Sequence, residues 1–144
     1  SGIPISTHCD KGTMGLEQLK FLETYGADLQ HVLLCHIDSA LDMKYTKELC
    51  REGVTICFDH VGRELANKDA VRVEMIKQLA EADLLDHLTL SGDMGKKEYL
   101  PAYGGRPGLS YILSELKSEL ERYLSEDDLK RIFVDNPKRV LSCK

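Results

Sequence analysis

Short stretches rich in aliphatic and β-branched residues alternate with longer ones in which apolar residues recur every three or four positions, and this alternation runs four times along the chain. It predicts serial βα units. The first strand spans Ile3 to His8. A helix from about Gly15 to Tyr25 follows, with Leu16, Leu19 and Leu22 on one face and Gly26 closing it. Strand two spans Val32 to His36. Asp42 is placed to cap a helix running through Leu49 and Arg51, and Gly53 ends that helix before strand three, Val54 to Phe58. A third helix, from about Asn67 to Ala82, gathers Val73, Ile76, Leu79 and Ala80 on one side, and strand four spans His87 to Ser91. Few polar residues interrupt these strands, which is the pattern of a parallel sheet covered by helices.

Beyond strand four the pattern changes. A glycine-rich loop, Tyr103-Gly104-Gly105-Arg106-Pro107-Gly108, precedes a long helix whose apolar stripe is Leu109, Ile112, Leu113, Leu116, Leu120 and Tyr123. Ser125, with Asp128 three residues on, caps a shorter helix, and Asn136-Pro137 is expected to break the chain before a final turn. The expected architecture is α/β, with four parallel strands, outer helices and two C-terminal helices.

The 144 residues suit about one domain, and no linker divides them. Nineteen basic against twenty-four acidic side chains give a net charge of -5, which argues against nucleic acid or an anionic membrane as partner. The longest apolar runs, such as Val32-Leu33-Leu34-Cys35, fall far short of the roughly 20 residues of a bilayer span. Ser1-Gly2-Ile3-Pro4 lacks the basic start of a signal peptide, so a cytoplasmic location is expected. The five cysteines, at 9, 35, 50, 57 and 143, contain no Cys-x-x-Cys pair, and reduced, mostly buried thiols are expected. Cys9 and Cys35 each adjoin a histidine in sequence. Neighbours on a strand point to opposite faces, so these thiols should turn away from the imidazoles.

The informative pattern lies where strands give way to loops. Thr7-His8, His36-Ile37-Asp38, Asp59-His60 and Ser91-Gly92-Asp93 all fall there, so four strands present His, His, His and Asp at one edge. In parallel α/β architectures the carboxyl edge carries function, because its loops vary without disturbing the core. Neutral imidazoles and a carboxylate held by rigid strands make a binding set for zinc or a similar borderline ion. A single histidine near a strand end is more often structural; four coincident cases shift that balance. His31 and His87 lie at strand starts and are assigned no chemistry. Asp38 is read either as the partner that fixes an imidazole tautomer or as a turn-forming carboxylate. No Gly-x-Ser-x-Gly elbow and no Walker loop is present.

At these residues a resemblance becomes specific. Pro4-Ile-Ser-Thr-His8, Gly15-Leu-Glu-Gln-Leu19, Cys35-His-Ile-Asp38, Cys57-Phe-Asp-His60, Leu90-Ser-Gly-Asp93 and Asn136-Pro-Lys-Arg139 resemble the phosphotriesterase family of the amidohydrolase superfamily. The resemblance runs from end to end, over residues 1–144, and covers the family's C-terminal half, strands five to eight of a (βα)8 barrel. It implies a (βα)4 half of a TIM barrel whose complete form holds two divalent metals, usually zinc, at its mouth and activates a hydroxide there. By resemblance His8 and His36 are metal ligands. Asp93 resembles the carboxylate that binds metal and accepts the proton as hydroxide attacks, and His60 the residue that relays that proton to solvent.

The loop after Asp93 carries Lys96, Lys97, Tyr99, Tyr103 and Arg106, and the loop after His60 adds Arg63. Cations concentrated there in an acidic protein suggest an anionic substrate. The loop is similar to that of family members that hydrolyse phosphorylated sugar lactones, which implies substrate-binding roles for Arg63, Lys97, Tyr99 and Arg106. The expected function is metal-dependent hydrolysis of lactones or phosphoesters. The alternative is a catalytically incomplete half-barrel that binds a partner chain or ligand.

The chain also departs from the family pattern. The His-x-His pair of strand one and the bridging lysine of strand four have no counterparts here, and a complete barrel needs at least about 200 residues. One metal or none could therefore be held by this chain alone. It reads as a fragment, one part of a split protein, or a half-barrel pairing with itself. A free half would expose sheet edges and barrel interior, so association with the missing half or with a second copy is expected.

Overall fold

The computed structural model describes residues 2–63 and 66–143; Ser1, the first residue of the stretch weighed as a leader, lies outside them. Four strands, β1 (Ile5–His8), β2 (Val32–Cys35), β3 (Thr55–Phe58) and β4 (Leu88–Leu90), form one sheet in the order β1-β2-β3-β4. All pairings are parallel, with His8 opposite Cys35, Leu34 opposite Ile56 and Cys57 opposite Thr89. Helices α1 (Gly15–Thr24), α2 (Met43–Arg51) and α3 (Ala66–Glu81) form the crossovers. This is the expected βα series, half of a barrel.

Alternation along the strands separates two environments. Val32 and Leu34 of β2 are fully buried in a core with Leu19, Leu49, Ile56, Phe58, Ile76, Leu79 and Leu88. Leu33 and Cys35, on the other face, line an open cleft of about 420 Å³ together with Cys57, Thr89, His36, Asp59 and Asp93. The cleft is the concave side of the sheet, and the candidate site lies at its rim. Asp42 caps α2 as expected, its carboxylate accepting the Tyr45 N–H at 3.0 Å. Gly62, at φ 74°, closes the turn after β3 so tightly that a Cβ there would meet the Pro107 ring and Tyr111 at 2.7 Å.

Several boundaries differ from those expected. β1 begins at Ile5, and Ile3 is exposed; β3 begins at Thr55. His87 belongs to a tight turn, Leu85–His87, that leads into β4, and the strand ends at Leu90. β2 ends at Cys35 because His36 adopts a left-handed conformation, φ 66°. That backbone reversal undoes the alternation between Cys35 and His36, so both face the cleft, whereas Cys9 is buried and His8 exposed as expected. Four of the five cysteines are at least partly buried and all five are free.

The C-terminal region departs furthest. In place of one long helix there is a tight turn, Tyr111–Leu113, and a short helix α4 (Glu115–Leu120), separated at Ser114 (φ −111°, ψ −84°). Leu116 and Leu120 are buried, while Leu109 and Leu113 face outward, so the stripe is split where the backbone turns. Helix α5 (Glu126–Lys130) carries the expected capping box between Ser125 and Asp128. Asn136-Pro137 does not break the chain: a wide helical turn, Arg131–Asp135, runs from α5 directly into α6 (Asn136–Leu141). Pro137 falls in the first turn of α6, where a missing N–H is tolerated, and the buried Asn136 amide donates to Leu85 O and Leu88 O, both at 2.7 Å. That tie pins α6 against the start of β4. Among the described residues no helix is long and apolar enough to cross a membrane.

Candidate metal centre

Parallel pairing brings the carboxyl ends of β1, β2 and β3 side by side, and with them three imidazoles. The His8 and His36 rings meet edge to face at 4.4 Å between centroids, and the His36 and His60 rings stack at 5.0 Å. His36, Asp59 and His60 each offer a donor atom within 4.8 Å of the others, the spacing of a group able to hold a metal ion.

Asp59 governs His36. Its Oδ2 accepts the His36 backbone N–H at 3.0 Å and its Oδ1 lies 2.8 Å from Nδ1, which directs Nε2 to any further partner. Asp59 is buried, and burial followed by the neighbouring Asp38 charge raises its pKa. His60 is held through Nδ1, 2.9 Å from Ser39 Oγ and 3.6 Å from Asp38 Oδ1. Its pKa is raised, chiefly by Asp38.

Asp38 is the hub behind the rim. It is fully buried and accepts the backbone N–H groups of Asp59 and His60 at 3.2 and 3.1 Å. Arg72 of α3, itself buried, donates from Nε to Asp38 at 2.6 Å and from Nη1 to Asp69 at 2.9 Å. Burial opposes the charge on Asp38, but His60, Arg72 and the backbone donors outweigh it and its pKa is lowered. Of the two roles open for Asp38, its position behind His60 favours the imidazole partner. Asp69 completes the network by accepting the Gly62 N–H and the Tyr111 hydroxyl.

Asp93 stands on the same cleft as His36, half exposed at φ 41°, and pairs with Arg63 through Nη1. Arg63 also donates from Nη2 to the Tyr99 hydroxyl at 3.0 Å, its guanidinium 4.7 Å from that ring's centroid. Two of the expected substrate-binding residues are thus gathered against Asp93. Lys97 opens the exposed turn Lys97–Tyr99, and Arg106 is tied beside it through its backbone N–H to Glu98 O at 3.0 Å. His87, assigned no chemistry, spends Nδ1 on Val54 O at 3.0 Å. Asp59, Ser39 and Arg72 had no assigned role: Asp59 shared a strand end with His60, while nothing local marked Arg72.

The model of the phosphotriesterase family matches residues 1–141. The chain belongs to the phosphotriesterase family. It is 36% identical over 149 residues to a phospho-furanose lactonase of Mycoplasmopsis synoviae, covering 99% of this chain and 42% of that protein. It is 31% identical over 155 residues to the N-acetyltaurine hydrolase of Dictyostelium discoideum, again covering 99% and 42%. The crystal structure of the phosphotriesterase homology protein of Escherichia coli, complexed with phosphate in its active site, matches with a TM-score of 0.91 and 32% identity, over 99% of this chain and 49% of that one. The chain spans about half the length of the phosphotriesterase relatives it matches, and its relatives include hydrolases and lactonases.

Proposed function

We propose that residues 1–144 are the C-terminal half of a metal-dependent hydrolase that acts on lactones or phosphoesters, phosphorylated sugar lactones ahead of organophosphate triesters. The observation that carries this reading is the file of imidazoles from His8 through His36 to His60, with His36 Nδ1 fixed by Asp59. Imidazole and carboxylate donors suit zinc or a similar ion, and His36, Asp59 and His60 have the spacing to hold one. His8 and His36 would hold it, with Asp93 as the carboxylate ligand from β4 and Asp59 orienting His36. A divalent ion supplies a water with its pKa lowered toward about 7 and polarises a carbonyl or phosphoryl oxygen.

The chain's own residues supply the rest. Asp93 accepts the proton of the attacking water, and His60 passes it toward solvent, its ring held at Nδ1 by Ser39 and Asp38. Arg63 and Tyr99, with Lys97 and Arg106 on the neighbouring loop, bind the anionic end of the substrate. No protein nucleophile is required. The same reading carries a cytoplasmic location, where thiols stay reduced.

The test is an assay of the protein with both barrel halves present, loaded with zinc, against a phosphorylated lactone and an organophosphate triester. Hydrolysis of the lactone above the triester is expected. Hydrolysis of neither, in a folded and zinc-loaded sample, would remove the reading.

A further inference from the structure

Two of the five cysteines face each other on the concave side of the sheet. The register that sets Leu34 opposite Ile56 sets Cys35 of β2 opposite Cys57 of β3 one position on, and both thiols line the cleft. Ser6 Oγ sits 3.3 Å from the Cys35 sulfur, on the side of β1. Cys35 is half-buried and reached from the cleft, whereas Cys57 is 4% exposed.

Neighbouring strands lie about 4.8 Å apart. That separation falls inside the Cα–Cα window of a disulfide, roughly 4.4–6.8 Å, although directly opposed Cβ atoms then sit near the long end of the bonded range. We propose that Cys35 and Cys57 form an oxidisable dithiol that takes hydrogen peroxide as its co-reactant. The Cys35 sulfur attacks one peroxide oxygen, the O–O bond breaks, and a sulfenic acid and one water result. The Cys57 thiol then attacks the Cys35 sulfur, the S–O bond breaks, and a second water leaves as the disulfide forms. Two thiols give up two electrons and the peroxide takes them. Stretched across opposed strand positions, the bond belongs to the readily reduced class. The proposal is independent of the metal reading, because its test reads thiols and not turnover.

The experiment treats the 144-residue chain carrying Cys143→Ser, which removes the exposed thiol, with hydrogen peroxide under native conditions, and then maps peptides by mass spectrometry without reductant. The expected result is a Cys35–Cys57 cross-linked pair, the loss of one pair of hydrogens per chain, and full reversal by dithiothreitol. With Cys57→Ser added, Cys35 should instead advance to the sulfinic acid. Both thiols remaining fully alkylatable after peroxide, or a cross-link joining Cys35 to Cys9, would overturn the proposal. So would a Cys35 in the Cys143→Ser chain that passes to the sulfinic acid while Cys57 stays a thiol.

Discussion

The Asp59 carboxylate holds His36 by two atoms at once, accepting the backbone N–H at 3.0 Å and meeting ring Nδ1 at 2.8 Å. One carboxylate thereby fixes both the left-handed backbone that turns His36 into the cleft and the tautomer its ring presents. Asp59→Asn keeps the volume and can keep one of these bonds, so the fold should survive. Zinc affinity, measured by chelator competition, should fall by about 10–100-fold, as it does when a carboxylate behind a ligating imidazole is lost. An unchanged affinity would remove Asp59 from the site.

The pairing of His60 with Asp38 predicts a pH dependence with a definite sign. His60 has its pKa raised, chiefly by Asp38, so its contribution is complete below the unfolded imidazole value of about 6.5 and is lost as pH rises through the higher folded value. Asp38 has its pKa lowered, so its contribution is present above the unfolded carboxylate value of about 3.9 and is lost as pH falls through the folded one. Urea midpoints of the metal-free chain and of His60→Gln should therefore differ most between these two windows, with the gap closing above neutrality. A gap that widens toward alkaline pH would contradict the pairing.

Arg72 is the cation on which the rim rests. It is buried between Asp38 and Asp69, and removing its charge strands Asp38 in the interior. Arg72→Met should cost about 3–5 kcal/mol of unfolding free energy, the penalty of a broken buried pair. Tyr111→Phe, which removes only the hydroxyl donor to Asp69, should cost roughly 1 kcal/mol. Equal effects in denaturant titrations would show that the network does not depend on the guanidinium.

Much of this was legible in the sequence, and the exceptions share a cause. The strands, their crossovers and the alignment of His8, His36, Asp59-His60 and Asp93 at one edge follow from local periodicity and turn residues, which determine where a strand stops. The left-handed turn at His36 was not legible, because it is stabilised by a carboxylate 23 residues away. Arg72 looked like any polar residue of an amphipathic helix until the fold set it against Asp38, 34 positions earlier. Asn136-Pro137 reads locally as a break. The two bonds from Asn136 to the ends of the turn before β4, 48 and 51 residues distant, override that preference.

The pair formed by Asp93 and Arg63 joins a proposed base to a proposed anion-binding cation. Asp93→Asn in the protein with both barrel halves should lower kcat by at least about 10²-fold, the scale of a lost general base, with its thermal midpoint nearly unchanged because the residue is half exposed. Arg63→Ala should instead act mainly on KM for anionic substrates and leave neutral lactones little affected. Turnover unchanged in Asp93→Asn would take the proton-accepting role away from that residue.

The two outer strands bear on how the chain exists in solution. Among the described residues β1 and β4 each pair with a strand on one side only, and an open strand edge is a template for further pairing. At the β1 edge, Thr7 Oγ1 is buried without a partner among the described residues, and Ile3, Phe21 and Tyr25 lie exposed nearby, the two rings 4.9 Å apart. In a closed barrel a neighbouring strand and helix would cover these groups. The isolated 144-residue chain should therefore associate, giving dimers or larger species by size-exclusion chromatography with light scattering, and should bind a hydrophobic dye. Co-expression with a chain supplying the first four βα units should abolish the dye signal and yield a one-to-one complex. A stable monomer that binds no dye would mean that these edges are protected within the half-barrel itself, and the case for a missing partner would fail.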